Sequence, residues 1–473
     1  MNKTSLKKIS NFSEEYAHFI TEYLFRLFGI STEIDLIAAE TTCEKEPARI
    51  RLDGDWIFFS AFTQQFFKMP ASDSPLKDSD SISLANKIIE AFLSCAEFKV
   101  QGGTDKYNRY RNHVAKEKAY KLAIQDGLAQ WIFGVTNGEI LAKFFDLLEK
   151  WSVKTYEGKH VTLGFLVDPS SQKETILSFD ELLAFLNDDS SAVLSDCIHS
   201  ILELDKKCNL VGYHSITEDL KTLPSCDLSD YVPIRFIQTV QQFIPYRTQA
   251  SGSDKVGVFL LSNGDILLVK SGATRFVKRN LQWLNLSEPA FINSLKPIAA
   301  NLPLDAYAKK QLLKSIYASV LDVSFSHTGG IVAIVNPNCI EDLMKNRVLS
   351  PFDNLKISDE AATQLMDENG CPQATQERVV RRKLLKTLVH NSNFDRLDRK
   401  LRSELIALDG ACIIDFNGSV YSFGAIIQND SGSATGGRSS AAKKLSSFGA
   451  AIKISTDGYI DIYIDTDLVY SIK

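Results

Sequence analysis

The sequence predicts an α/β protein: a C-terminal mixed sheet covered by helices, from Leu304 to Lys473, preceded by α+β N-terminal modules. Three observations predict it. Apolar residues recur at helical spacing between caps and glycines, short continuous apolar runs have strand length, and beyond Leu304 the two patterns alternate.

Ser13 precedes Glu14 and Glu15, and Tyr16, Phe19, Ile20, Tyr23, Leu24 and Leu27 follow at helical spacing. Ser13 to Phe28 therefore reads as an N-capped amphipathic helix closed by Gly29. Ile50, Leu52 and Trp56 to Phe59 flank Asp53-Gly54, the turn chemistry of a tight hairpin. Helical patterns return at Ser83 to Leu93 and from His113 through Leu148, so residues 1–150 form an α+β or mainly helical module.

His160 to Val167 is strand-like and ends at Asp168-Pro169, while Phe179 to Leu186 and Ala192 to Leu204 have helical spacing. Residues 151–229 are a small α/β unit or an extension of the first. Residues 230–303 form a connecting module with two strands, Val256 to Leu261 and Ile266 to Val269, around Asn263-Gly264-Asp265.

From Leu304 the elements alternate. Leu312, Leu313, Ile316, Tyr317 and Val320 make a helical stripe, Gly330 to Val335 is a buried strand, and Val379 to Leu388 and Leu397 to Leu408 are helical. Strands follow at Ala411 to Asp415 and Ser419 to Ile427, then a Ser/Gly/Ala-rich loop and a helix from Ser440 to Leu445. Strands Ala450 to Ser455 and Ile460 to Ile464, the latter after Asp457-Gly458, complete residues 304–473.

Composition excludes several partner classes. A net charge of −5 over 473 residues gives no general attraction to nucleic acid or to an anionic membrane. The longest apolar runs fall far short of the roughly 20 residues a membrane helix needs. The eight cysteines are scattered without a C-x-x-C pair, and no signal-peptide core is seen, so a cytoplasmic setting is expected.

Two short motifs suit phosphate. In Asp409-Gly410-Ala411 an aspartate at a strand head can ligate a divalent cation, and the small residues let a ligand approach the backbone. Thr435-Gly436-Gly437 opens a helix, where N–H groups and the helix dipole favour an anion, and Arg438 adds a guanidinium. Taken singly, each also fits a bland role: an Asp-Gly turn before a strand and a Gly/Ser helix start.

Cys197, His199, Cys208 and His214 have no standard zinc spacing. The run Lys106 to Lys121 interleaves tyrosines with cations and reads as a solvated helix face before a base-stacking surface. Arg378, Arg381, Arg382 and Lys383 are assigned to the exposed side of their helix, from which the site could recruit one. No P-loop, dinucleotide fingerprint or Ser-His-Asp order is present.

Helix Ala318-Ser319-Val320 with strand Gly329-Gly330 to Val335, then Asp409-Gly410-Ala411, then Thr435 to Ala442, resemble in order and spacing the domain of the diadenylate-cyclase (DAC) superfamily. The resemblance covers about a third of the chain. It implies a nucleotide site with Asp409 as metal ligand, and as catalytic residue in an active enzyme. Gly410, Ala411, Thr435, Gly436, Gly437, Arg438, Ser439 and Ser440 would then lie at the nucleotide and its phosphates, with Mg²⁺ or Mn²⁺ as cofactor.

Gly437 stands where the family has threonine, Ser439 replaces a histidine and Ser440 a second arginine. Each lost donor weakens transition-state stabilisation by roughly 2–4 kcal/mol. The chain thus looks nearer to the divergent DAC-like sensor type (DACNV-like) of prokaryotic defence and signalling systems than to the housekeeping cyclases. The resemblance implies a sensor for a purine nucleotide, ATP or a cyclic nucleotide, whose N-terminal region meets an unidentified protein partner. The alternative is an active cyclase making cyclic di-AMP from two ATP, which requires a face-to-face homodimer.

Overall fold

The computed structural model describes residues 14–30, 37–42, 50–61, 64–71, 74, 76, 79–101, 113–133, 138–156, 158–187, 200–215, 255–270, 273–280, 282–346, 348–368, 375–427 and 436–472. The protein is mixed α/β, and the chain divides into two units. The first comprises Met1–Leu228 and Phe236–Ser287, the second Ser229–Arg235 and Glu288–Lys473.

The first unit starts on an aromatic helix. Tyr16, Phe19, Ile20, Leu24 and Leu27 are buried as their spacing requires, and Gly29 follows at φ +64°. Its middle, Ile20–Phe25, is wound as a π-helix, which periodicity does not signal. The Tyr16 hydroxyl donates to the Ser60 carbonyl at 3.0 Å and the Phe25 ring lies 5.9 Å from Phe59, seating the helix on an antiparallel sheet. That sheet has the order β1-β4-β3-β2, from β1 (Ile37–Thr42), β2 (Ile50–Asp53), β3 (Trp56–Ala61) and β4 (Gln64–Pro70). Asp53 pairs with Trp56, so the turn residues are Gly54 (φ +59°) and Asp55, one position beyond the expected Asp53-Gly54.

Helices α1 (Ser79–Gln101), α2 (His113–Phe133) and α3 (Gly138–Ser152) follow, two helices where the His113 to Leu148 pattern reads as continuous. Gly127 lets α1 and α2 approach: a Cβ there would meet the Ile88 backbone at 2.6 Å. After the hairpin β5 (Thr155–Tyr156) and β6 (Lys159–His160) comes a seven-stranded sheet. Its strands are β7 (Leu163–Val167), β8 (Ser200–Leu204), β9 (Leu210–Ser215), β10 (Val256–Leu260), β11 (Ile266–Lys270), β12 (Ala273–Arg279) and β13 (Gln282–Asn285). They lie in the order β13-β12-β11-β10-β7-β8-β9, so segments from 151–229 and from 230–303 share one sheet.

Helix α4 (Phe179–Leu186) matches its expected bounds and is held by a capping box between Ser178 and Glu181. Ser200–Leu204, expected as the end of a helix, is instead β8, parallel to β7 and buried along its length. A short, fully buried apolar run has no periodicity to separate strand from helix. Helices cover this sheet through rings: Trp131 against Phe276 at 5.7 Å, Phe144 against Phe165 at 5.1 Å and Phe145 against Trp283 at 5.1 Å.

The second unit opens with α5 (Glu288–Ser294), α6 (Lys296–Asn301) and α7 (Ala306–Ser326), the last capped by Asp305, which accepts from the Ala308 N–H at 2.8 Å. Then come β14 (Gly330–Val335), α8 (Ile340–Lys345), α9 (Asp359–Glu368), α10 (Gln376–Val389), α11 (Arg399–Ile406), β15 (Ala411–Asp415) and β16 (Val420–Ala425). Helix α12 (Gly437–Ser446) and strands β17 (Gly449–Ile454), β18 (Ile460–Ile464) and β19 (Asp467–Ile472) finish it. The six-stranded sheet has the order β16-β15-β14-β17-β18-β19, with β14 and β15 parallel and the other neighbours antiparallel.

Ala441, Ala442 and Leu445 of α12 pack on Ile331, Ala333 and Ala451 across one face of the sheet. On the other face α11 lies so close that a Cβ on Gly330 would meet the Ile406 carbonyl at 2.7 Å. Arg399 of α11 pairs with buried Asp322 of α7 through two bonds of 2.7 and 2.9 Å, joining these two helices. Among the described residues no helix is long and apolar enough to cross a membrane.

Glu203 on β8 is buried in the first unit, with His214 Nε2 at 2.7 Å and Lys173 on the same carboxylate oxygen. The hydrogen bond with His214, supported by Lys173, holds its carboxyl down at about 2 against the opposing effect of burial. Because the folded value is lowered, the stability contributed is complete above pH 4.5 and is lost as pH falls towards about 2. Urea unfolding across that window should show a shallower loss of stability in Glu203→Gln than in the parent protein; equal pH slopes would refute this assignment.

Candidate functional site

The sequence motifs of the second unit meet where β14 and β15 begin. The parallel register pairs Ile331 with Ala411 and Val335 with Asp415. Gly329 immediately precedes β14 and Asp409-Gly410 immediately precede β15, so both segments lie at the same end of this parallel pair. Ala411 is buried, Gly410 half-buried and Asp409 exposed, so the acidic side chain stands at the open head of the sheet.

Arg438 reaches the same head from α12. A Cβ on Gly329 (φ +71°) would lie 2.5 Å from Arg438 Nη1 and 3.0 Å from Cζ, so the guanidinium occupies the space a side chain would fill. Gly436 (φ +84°) is the N-cap of α12 and offers no side-chain cap. Gly436 and Gly437 are both exposed, with nothing within 4 Å of where a Cβ would stand. A ligand could therefore approach the first-turn N–H groups of this helix closely. Ser440 is half-buried and its N–H donates to the Gly436 carbonyl at 3.3 Å, whereas Ser439 is buried. Thr435 lies outside the described residues.

A second close backbone approach fixes Gly410. At φ +114°, its Cβ would lie 2.4 Å from the Gly424 carbonyl carbon and 2.6 Å from the Gly424 and Ala425 oxygens, none of which can swing aside. Gly424 is itself left-handed (φ +69°), in a stretch of β16 where the register with β15 shifts, and its Cβ would lie 1.8 Å from Arg381 Nη2. Arg381 Nη2 donates to the Asp409 carbonyl at 3.4 Å and to the Gly424 carbonyl at 3.3 Å.

Sequence reasoning singles out neither Gly424 nor Arg381 within its group, although a glycine inside a strand run is a signal of a bulge. The expected exposed face of α10 needs correction. Arg382 is only 3% exposed and donates to the carbonyls of Phe352, Asn354 (2.7 Å) and Ile357 (2.8 Å) and to the Asp359 carboxylate (2.8 Å). Arg378 pairs with Asp353 at 2.9 Å, while Arg381 and Lys383 are exposed.

Other candidate side chains serve packing. Tyr120, in the basic run, is buried with its ring 5.0 Å from Tyr23 and its hydroxyl donating to Glu15 at 3.2 Å. Burial pushes the Cys208 thiol far above its usual range, and His214 is bound to Glu203. Cys197 and His199 lie outside the described residues.

Among the described residues no three His, Cys, Asp or Glu side chains cluster as a metal site. The single carboxylate of Asp409 nonetheless suits Mg²⁺ or Mn²⁺ delivered on phosphate oxygens, since Mg²⁺ is commonly held by one or two carboxylates plus phosphate.

Comparison with known protein families and with curated proteins finds no match to this chain.

The two classes of glycine should respond differently to alanine. Gly410→Ala, strained and in collision with backbone, should lose roughly 2–4 kcal/mol of stability, whereas Gly437→Ala, at an open helical position, should change it by less than about 1 kcal/mol. Equilibrium denaturation of both variants decides, and equal losses would contradict the packing described.

Proposed function

We propose that the second unit binds a purine nucleotide, ATP or a cyclic nucleotide, as the sensory part of a defence or signalling protein. The observation that carries the proposal is the convergence at one sheet head. Asp409-Gly410, Gly329 and the Gly436-Gly437-Arg438 helix start are far apart in sequence, and the β14/β15 register and the packing of α12 gather them there.

Arg438 and the first-turn N–H groups would take the phosphates, a charge-assisted fork beside a helix dipole. Gly329 leaves room for the Arg438 guanidinium and Gly410 for the Gly424 backbone, while Gly436 and Gly437 leave the helix start open to the ligand. Asp409 would ligate Mg²⁺ or Mn²⁺, a cation that supplies charge neutralisation for the phosphates when bound. The chain's own contribution is position: Asp409 rests on the Gly410–Gly424 contact, and Arg438 is set over Gly329 by α12.

A sensor is favoured over a cyclase because serine at 439 and 440 and glycine at 437 leave Arg438 as the one cation of its loop. Signalling then requires tighter ligand binding in one conformational state than in another, passed to the first unit or to a protein partner.

Isothermal calorimetry with MgATP and with cyclic di-AMP should detect binding of at least one, weakened about tenfold or more in an Asp409→Ala, Arg438→Ala double variant. Undiminished binding by that variant would reject the site. Incubation with ATP and Mg²⁺ or Mn²⁺ should give no cyclic dinucleotide. Product formed over multiple turnovers and lost in Asp409→Asn would replace the sensor with an active cyclase working as a face-to-face homodimer.

A further inference from the structure

Most cations on α10 are spoken for. Arg378 pairs with Asp353 at 2.9 Å, and Arg382 and Lys386 share Asp359 at 2.8 Å each. These bonds bind α10 to the segment before it.

Arg381 differs from all three. Among the described residues no carboxylate lies within ion-pair distance of it, and its two protein contacts are long bonds from Nη2 alone, to backbone carbonyls at 3.3 and 3.4 Å. Its Nε and Nη1 have no protein acceptor there. The side chain is exposed, yet its position is specified: it fills the space left by Gly424, where a Cβ would lie 1.8 Å from Nη2.

The carbonyl it touches belongs to Asp409, just before β15, while Arg438 lies over Gly329, just before the neighbouring β14. Arg438 too has no carboxylate within ion-pair distance among the described residues. Two guanidiniums with no ion-pair partner among the described residues thus stand where the adjacent parallel strands β14 and β15 begin. Two such cations at one end of a strand pair, set against the single carboxylate of Asp409, raise the local positive potential and favour an anion there.

We propose that Arg381 is a second phosphate-binding residue of this site, gripping a polyphosphate from the β15 side while Arg438 holds it from the β14 side. The proposal rests on the nucleotide site described above. It directs attention to ligands with linked phosphates, whose chain offers charged oxygens to a guanidinium at each strand.

The test compares the full chain with Arg381→Ala in titrations with MgATP and with tripolyphosphate alone, each at low and at high KCl. Both ligands should bind the variant about tenfold more weakly, and the salt dependence of binding should become shallower, as loss of a direct charge contact requires. Affinities within twofold of the parent overturn the proposal. So does weaker binding with an unchanged salt dependence, which would make Arg381 a positioning residue for the Asp409 turn. Should Arg381→Ala lower the unfolding midpoint, Arg381→Gln is measured in its place, since it keeps a donor to the carbonyls and removes the charge. Absence of binding by the parent chain to either ligand is a separate result, which removes the nucleotide site itself.

Discussion

The second unit depends on one pairing, the parallel alignment of β14 with β15. Parallel neighbours need a crossover connection, here the helices α8 to α11. The register places Ile331 opposite Ala411, and a slip of one residue would turn every side chain of β15 to the other face. Ile331, Ala333 and Val335 of β14 and Ala411 and Ile413 of β15 share the core beneath α12, and that shared packing holds the register. The position of Asp409 at the head of β15 therefore depends on this apolar core as well as on the Gly410–Gly424 contact.

Charge is handled differently in the frame and at the head. Asp322 with Arg399, and Asp265 with Arg279 in the first unit, are buried pairs joined by more than one bond. Removing one partner of such a pair typically costs about 3–5 kcal/mol. Arg402 is likewise buried, donating to the carbonyls of Phe394, Asp395 and Leu397 and to Ser319. At the sheet head, by contrast, Asp409 and Arg381 are exposed and Arg438 half-exposed. Rigid paired ions hold the scaffold while partly solvated ones face outwards.

Elements with clear periodicity or strong punctuation were legible in the sequence. Gly330–Val335, Ala411–Asp415, Ile460–Ile464 and Phe179–Leu186 have the expected bounds, because apolar runs ending at glycine, aspartate or a cap carry their own limits. Asp467–Ile472 was not recognised as a strand: Asp467, Leu468 and Val469 are exposed at the edge of the sheet, so half of the segment has no buried face to pattern it. Asp409, Gly410 and Arg438 could be picked out as chemistry. That Arg381 would lie on the Asp409 carbonyl depends on a bulge at Gly424 and on how α10 packs, contacts between residues far apart in sequence. Arg382, read as a surface cation, is buried because three backbone carbonyls need donors, a demand visible only in three dimensions.

The strand order of the seven-stranded sheet has a consequence for biosynthesis. β7 lies between β8 and β10, and β10 enters the sheet only after a long intervening stretch of chain. A nascent chain that has emerged through Ser215 therefore carries β7 with one flank unpaired, an apolar run from Leu163 to Val167 open to strands of other molecules. Pairing across such a sequence gap forms slowly. Ribosome-bound and prematurely terminated chains thus expose an apolar strand edge that the finished sheet covers, and chaperone demand is expected before Val256 emerges.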